Sequence, residues 1–141
     1  MKIKVDSKLE KQLIAGSVKI RKNAYAPYSK LHVGATLITA KGNIYSGCNV
    51  ENSSFGLTSC AERNAIFSAI SAEGAGMRIV AIAVTADSPL PISPCGACRQ
   101  VIAEFADKSA NGTRIIFRAD DGMISRTMQE ILPGSFEMEK I

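Results

Sequence analysis

Thr58-Ser59-Cys60-Ala61-Glu62-Arg63-Asn64, TSCAERN, puts a cysteine, a glutamate and an arginine into four residues at the head of an apolar segment. One reading is structural: Ser59 caps a helix and Glu62, three residues on, closes a capping box. The other is chemical: Cys60 holds a metal and Glu62 moves a proton beside it. A second stretch, Pro94-Cys95-Gly96-Ala97-Cys98-Arg99-Gln100, bears on the choice. Cys95 and Cys98, separated by two residues at a predicted helix start, can turn both thiolates toward one ion. Alone, such a pair is equally compatible with a redox centre or half of a structural zinc site. Cys60 opens another predicted helix 35 positions earlier, and two helices beginning at one edge of a sheet would bring three sulfurs together. Helix N-termini and bound zinc both favour thiolates. Three protein ligands leave a fourth tetrahedral position for water, which separates a catalytic zinc from a closed one. Spacing alone leaves open a four-thiolate structural site that adds Cys48. Cys48, however, ends a predicted strand outside both helix starts and reads as a small buried residue. A hydrolytic site also needs a proton carrier, and Glu62 is two residues from a ligand candidate. A capping box accounts for Ser59 and Glu62 but not for three cysteines.

Outward from these stretches, helices and strands alternate. Residues 7–22 read as a helix in which Leu9, Leu13, Ser17 and Ile20 share a face that Ile14 and Val18 widen. Pro27 makes AYAPYS at 24–29 a loop. Val33–Thr39 and Ile44–Cys48 flank AKGN at 40–43, a hairpin signal. After a loop at 49–58, Cys60–Ala72 reads as a helix with Ile66, Phe67 and Ile70 as its apolar set, ended by GAG at 74–76. Ile79–Thr85 is an apolar strand, and DSPLPISP at 87–94 is too rich in proline for either element. Gly96–Asp107 reads as a helix, Thr113–Phe117 as a strand, ADDG at 119–122 as a turn, Met123–Arg126 as a strand and Thr127–Leu132 as a short helix. This order implies a mixed sheet with helices on its faces. The first hairpin is antiparallel, and the later crossovers favour parallel pairing. No repeat or linker divides the chain, so a single domain over residues 1–141 is expected.

Composition narrows the function classes. Apolar residues make up 46% of the 141 positions and charged residues 21%, an ordinary folded balance. No apolar run reaches the roughly 18 residues of a membrane span. Charges in MKIKVDSKLEKQL interrupt the place where a signal peptide needs its apolar core, so a cytoplasmic protein is expected. There, four cysteines point to metal or thiol chemistry before disulfides. Residues 1–30 hold eight Lys/Arg against two Asp/Glu, whereas residues 31–141 hold nine against eleven. The basic segment reads as a solvated helix face, and no RNP-like aromatic motif, GXXG loop or finger spacing makes nucleic acid an expected partner.

Together these pieces resemble the zinc-dependent cytidine deaminases of the small, homotetrameric type. Their wider signature, H-x-E followed by P-C-x-x-C, has a variant in which cysteine supplies all three zinc ligands. Here it stands as Cys60-Ala61-Glu62 and Pro94-Cys95-Gly96-Ala97-Cys98. The resemblance extends through APYSKLHVGATL (26–37), GCNVENSSFGLTSCAERNAIFSA (47–69), SPCGACRQV (93–101) and ILPGSF (131–136). It implies a three-layer α/β/α sandwich around a five-stranded mixed sheet. It implies Zn2+ on Cys60, Cys95 and Cys98, and Glu62 as the proton shuttle. Asn49 and Glu51 would bind the ribose hydroxyls, and Ser59 and Ala61 would orient the pyrimidine through their backbone groups. Arg63 and Arg99 would donate to the sulfurs, since three thiolates leave the zinc site with a net negative charge. Phe136 would reach a neighbouring subunit's pocket. The implied reaction is hydrolytic deamination of cytidine and 2′-deoxycytidine by zinc-activated water, with release of ammonia and no organic cofactor.

The chain departs from the family's usual pattern in two places. Leu31 stands where phenylalanine is usual in the base pocket, and Phe55 stands where tyrosine is common. Leu31 offers an apolar wall without a ring contact, and Phe55 lacks the hydroxyl. A modified cytosine nucleoside is therefore an alternative substrate. A polynucleotide editor and a zinc-stabilised interaction protein are the rival classes, the latter predicting a closed four-ligand zinc. Blasticidin-type deaminases share the core motif, but Asn49-Val50-Glu51 and ILPGSF favour the cytidine type. His32, the only histidine, is expected to be exposed or a local hydrogen-bond partner rather than a metal ligand.

Overall fold

Alternation of short apolar strands with helices produces the layered arrangement that the sequence implies. The computed structural model describes residues 2–109 and 112–139. β1 (Val33–Thr39) and β2 (Ile44–Cys48) form the first hairpin, in register from Gly34↔Cys48 to Ile38↔Ile44. The sheet continues with β3 (Ile79–Ala86), β4 (Arg114–Ala119) and β5 (Gly122–Thr127), in the order β2-β1-β3-β4-β5. β3 runs antiparallel to β1 and parallel to β4, and β4 and β5 close as an antiparallel hairpin. The parallel pair needs a crossover, which α3 (Gly96–Glu104) supplies. β1 is buried at every position and β3 at every position but its last, as continuous apolar strands require.

α1 (Ser7–Ile20) covers one face of the sheet; α2 (Ala61–Glu73), α3 and the short α4 (Met128–Ile131) cover the other. This is a three-layer α/β/α sandwich with a five-stranded mixed sheet. On the α2 side, Ala61, Ala65, Ile66 and Ala69 meet Leu37, Ile82, Ile102 and Ile115, all fully buried. On the α1 side, Leu13 meets Ile38, Val80, Ala83 and Ile116. Each fully buried aliphatic side chain contributes about 1.5–3 kcal/mol relative to exposure. Two glycines let helices touch strand backbone directly. A Cβ on Gly34 would overlap Ser17 O of α1, and one on Gly47 would overlap Ala65 N and lie 2.7 Å from Ala61 O of α2.

Several local expectations are corrected. Phe67 is 48% exposed, because the small residues Ala65 and Ala69, with Ile66, set the face that α2 lays on the sheet. α3 ends at Glu104 rather than Asp107, where the sheet captures the chain: Ile79 N–H donates to Phe105 O, and Ala106 bridges Ile79. β4 begins at Arg114 because Thr113 turns its hydroxyl to Ile79 O. The N-cap of α2 is Cys60, with no side-chain cap, so Ser59 and Glu62 form no capping box. The box occurs instead at α4, between Thr127 and Glu130. Gly74, at φ +83°, ends α2 as the GAG run implies.

Candidate active site and metal centre

The starts of α2 and α3 lie side by side at one end of the sheet. Cys60 is the N-cap of α2, Cys95 the N-cap of α3, and Cys98 lies within the first turn of α3. The three Sγ atoms lie within 4.8 Å of one another, with 3.8 Å between those of Cys60 and Cys95. Tetrahedral zinc with bonds of about 2.3 Å to sulfur holds its ligands roughly 3.8 Å apart, so this donor set fits Zn2+. Cys48 is not part of the cluster among the described residues; it is a half-buried free thiol, raised in pKa by burial.

The cluster has strongly uneven electrostatics. A hydrogen bond from Cys98 outweighs burial and, with donors from Arg63 and Cys95, brings the Cys60 thiol down to about 5. Cys98, fully buried, is pushed up by Cys60, by burial and by the Glu62 carboxylate. Glu62 Oε2 accepts from Cys98 Sγ at 2.9 Å. Glu62 is only 4% exposed, and burial raises its pKa despite that bond. A buried acid that resists ionisation, beside thiols that would surrender their protons to a dication, is a group able to hold and pass a proton.

Of the two arginines, only Arg63 reaches a sulfur. Its Nη2 donates to Cys60 Sγ at 3.3 Å, and the Cys60 contact raises the Arg63 pKa. Its Nε is buried with no hydrogen-bond partner among the described residues. Arg99 instead donates to Pro94 O at 2.8 Å, to Ile131 O at 2.6 Å and to Ser93 Oγ at 3.1 Å. It pins the approach to Cys95 onto α4 and does not touch the cluster's sulfurs.

The other candidate residues lie around this centre or apart from it. Asn49 is buried, and its amide is turned to the start of β1: Nδ2 donates to Leu31 O and Oδ1 accepts from Val33 N, both at 2.8 Å. One N–H and one lone pair remain on that amide. Glu51 Oε1 accepts from Tyr28 N and Ser29 N, and its carboxyl is held below the usual range chiefly by Ser29. Glu51 lines a hollow of about 360 Å³ with Tyr28, Ser29, Phe55 and Thr58. The rings of Tyr28 and Phe55 meet edge to face at 5.8 Å. Thr58 O in turn faces Arg63 Nη2 at 3.5 Å, linking this hollow to the cysteine centre. A larger hollow of about 700 Å³ lies on the α1 side, between the N-terminal segment and the start of β4, and contains no cysteine. Leu31 is half-buried against the α2-side core, and Ala61 is fully buried. Ser59 spends its backbone N–H on Val50 O, and its carbonyl accepts from Val50 N at 2.9 Å and from Asn64 Nδ2 at 3.5 Å. Phe136 is 68% exposed, its carbonyl held by Gln100.

Sequence reasoning passed over two residues that set the site. Asn64 donates to Cys48 O at 2.7 Å and accepts from Ser59 Oγ at 2.7 Å, tying the first turn of α2 to β2. Gly47 permits the same approach, and a glycine inside a strand was the available signal. His32 Nδ1 meets Asp87 Oδ2 at 2.7 Å, a partner 55 positions away in the chain.

Among the described residues, no helix is long and apolar enough to cross a membrane. Residues 7–111 match the family model described as "Cytidine and deoxycytidylate deaminase zinc-binding region". The chain is 49% identical over 92% of its length to a cytidine deaminase of Sporosarcina psychrophila, covering 93% of that protein. It superposes on crystal structures of cytidine deaminases from Burkholderia pseudomallei (TM-score 0.78, 40% identity, 89% of this chain and 98% of that one) and Mycobacterium tuberculosis (TM-score 0.78, 32% identity, 96% and 100%). A three-cysteine donor set built on two helix starts, a buried carboxylate touching it, and a match over most of the chain place this protein in the cytidine and deoxycytidylate deaminase zinc-binding family.

Proposed function

We propose that the chain catalyses the hydrolytic deamination of cytidine and 2′-deoxycytidine to uridine and 2′-deoxyuridine, with release of ammonia. The observation that carries this reading is the 2.9 Å contact between buried Glu62 and Cys98, inside a cluster whose third sulfur comes from another helix. Cys60, Cys95 and Cys98 hold Zn2+, which when bound supplies the Lewis acidity that makes a water acidic near neutral pH. Glu62 accepts a proton from the attacking water and delivers it to the ring nitrogen beside the amino-bearing carbon. It then carries a proton to the departing amine, so that water supplies both the new oxygen and the protons. Asn49, with one N–H and one lone pair unspent, and Glu51, through its other oxygen, bind the ribose hydroxyls. Leu31 walls the base, the backbone around Ser59 and Ala61 orients it, and Arg63 draws charge from Cys60. Arg99 acts through the loop that it fastens.

The chain is a single domain that works as a homotetramer. Tyr25, Val50, Phe55 and Leu57 are 45–76% exposed on two loops joined by the Tyr25↔Val50 bridge, a surface suited to burial against further copies. Phe136 reaches a neighbour's pocket, and mass measured by light scattering tests for four chains. The substrate is a free nucleoside rather than a polynucleotide, and four unpaired cysteines suit a cytoplasmic setting.

The test is ammonia release and loss of cytidine absorbance with purified, zinc-loaded protein, beside Glu62→Gln. Rapid turnover that falls at least about a hundredfold in Glu62→Gln is expected. No turnover with one zinc per chain would sink the assignment to cytidine. A panel of modified cytosine nucleosides would then follow, because Leu31 and Phe55 shape the pocket.

A further inference from the structure

We propose that His32 and Asp87 form a clasp that positions Leu31 and Asn49 for substrate binding, an inference that rests on the function above. β1 meets its neighbours along a ladder that ends at Gly34↔Cys48 on one side and Val33↔Ala86 on the other. Beyond those pairs, one main-chain bond on each edge, Asn49 N–H to Val33 O and Asp87 N–H to His32 O, is joined by side chains that extend the ladder. On the β2 side, Asn49 bonds Leu31 O and Val33 N with its amide. On the β3 side, Asp87 Oδ1 accepts His32 N–H at 2.8 Å, Asp87 N–H donates to His32 O at 3.0 Å, and Asp87 Oδ2 meets His32 Nδ1 at 2.7 Å. An extended chain points successive backbone groups to opposite edges, so residues 31 and 33 bind one partner and residue 32 the other. Three consecutive residues are thereby gripped from both sides.

The grip has something to hold. Immediately before it, Lys30 takes φ +63°, the one non-glycine positive value among the described residues, and such a backbone persists only where its surroundings fix it. Asp87 is itself anchored: Arg21 Nη1 donates to Ala86 O at 2.8 Å, and Ser17 and Thr85 share a buried hydroxyl bond at 2.8 Å. From Asp87 the chain runs through the proline-rich segment to Cys95. The clasp therefore joins the wall of the base pocket to the root of the loop that carries a metal ligand. Its two side chains are 38% and 40% exposed, so their pairing adds little to global stability. Its consequence falls on where Leu31 and Asn49 stand, and hence on KM more than kcat.

Steady-state kinetics on cytidine with zinc-loaded protein test this, with thermal melting and amide hydrogen exchange at residues 31–33 as companions. His32→Ala is expected to raise KM about three- to tenfold with kcat within about twofold, and to speed exchange at 31–33 without shifting the melt. His32→Asn, which keeps a nitrogen donor near the Nδ1 position, restores KM and protection. Asp87→Ala, which also frees the His32 amide, exceeds His32→Ala. An unchanged KM in His32→Ala, failure of His32→Asn to rescue, or a parallel loss of kcat and melting temperature would each overturn the clasp. If the zinc-loaded wild type turns over no cytidine, it is the function reading that falls. Amide exchange then decides the clasp by itself: unaltered protection at 31–33 in both alanine variants overturns it.

Discussion

The start of α2 stands on backbone packed against backbone, whereas the start of α3 hangs at the end of a proline-rich connection from β3. Around Cys60, Gly47 brings β2 against the first turn of α2, Asn64 ties that turn to Cys48 O, and Glu62 is buried beneath it. Around Cys95, residues 95–97 are exposed, and one arginine fastens the approach through three donors. The two halves meet with sulfurs 3.8 Å apart. One half is preorganised by the sheet; the other is tied to it, among the described residues, by a single bridge, Ile92 N–H to Arg118 O at 3.0 Å, and otherwise relies on Arg99 and on whatever the sulfurs bind. The carboxylate that must be placed most accurately belongs to the first half.

Removing the metal breaks this comparison hardest. With free zinc about a thousandfold above its Kd, chelation is expected to cost about 4 kcal/mol of apparent stability, read by melting. Amide exchange should show the loss at residues 95–99, with 61–65 less affected; equal loss in both turns would refute the asymmetry. Next come two identical substitutions with opposite outcomes. Gly47→Ala forces a Cβ into the backbone of α2 and is expected to cost about 1–3 kcal/mol, together with activity. Gly96→Ala meets nothing within 4 Å at the first position of α3 and is expected to gain up to about 1 kcal/mol. Equal effects in denaturant titrations would remove the distinction.

Arg99→Lys sharpens the picture of the tethered half. A lysine cannot span Pro94 O, Ile131 O and Ser93 Oγ together, so zinc affinity is expected to fall about tenfold in competition with a chelator, with kcat at saturating zinc nearly unchanged. The smallest effect lies at the far end of α2. Burial pushes the Glu73 carboxyl up, but donors from Asn43, Thr39 and Tyr45 outweigh it and hold it below its ordinary value of 4.5. The folded value is the lower one, so this stabilisation is present at neutral pH and fades as pH falls below 4.5 through the folded value. Glu73→Gln should flatten that acid limb by under about 1 kcal/mol in pH-dependent melting.

The same contrast explains what could be read in advance. Cysteines at two helix starts, a hairpin turn and a glycine stop are local signals, and the three-sulfur cluster follows from them once the sheet is mixed. Which face of α2 meets the sheet is a tertiary matter: Phe67 outweighs Ala65 and Ala69 in hydrophobicity, yet close packing selects the alanines. The end of α3 was set by a strand competing for Phe105 O, a partner far away in sequence. The resemblance implied that Arg99 donates to sulfur, but its length reaches backwards to Pro94 and across to α4. Asn49 was legible only through the family resemblance, and its bracing of β1 depends on strand register.

Gly34 and Gly47 lie on adjacent strands, one pressed by α1 and the other by α2. Main chain has no rotamers, so these contacts act as gauge blocks that set the thickness of the sandwich at that point. Aliphatic residues elsewhere in the core can be exchanged and repacked while the height of Cys60 above the sheet stays the same. The reactive end of this protein is thus insulated from drift in the composition of its own interior.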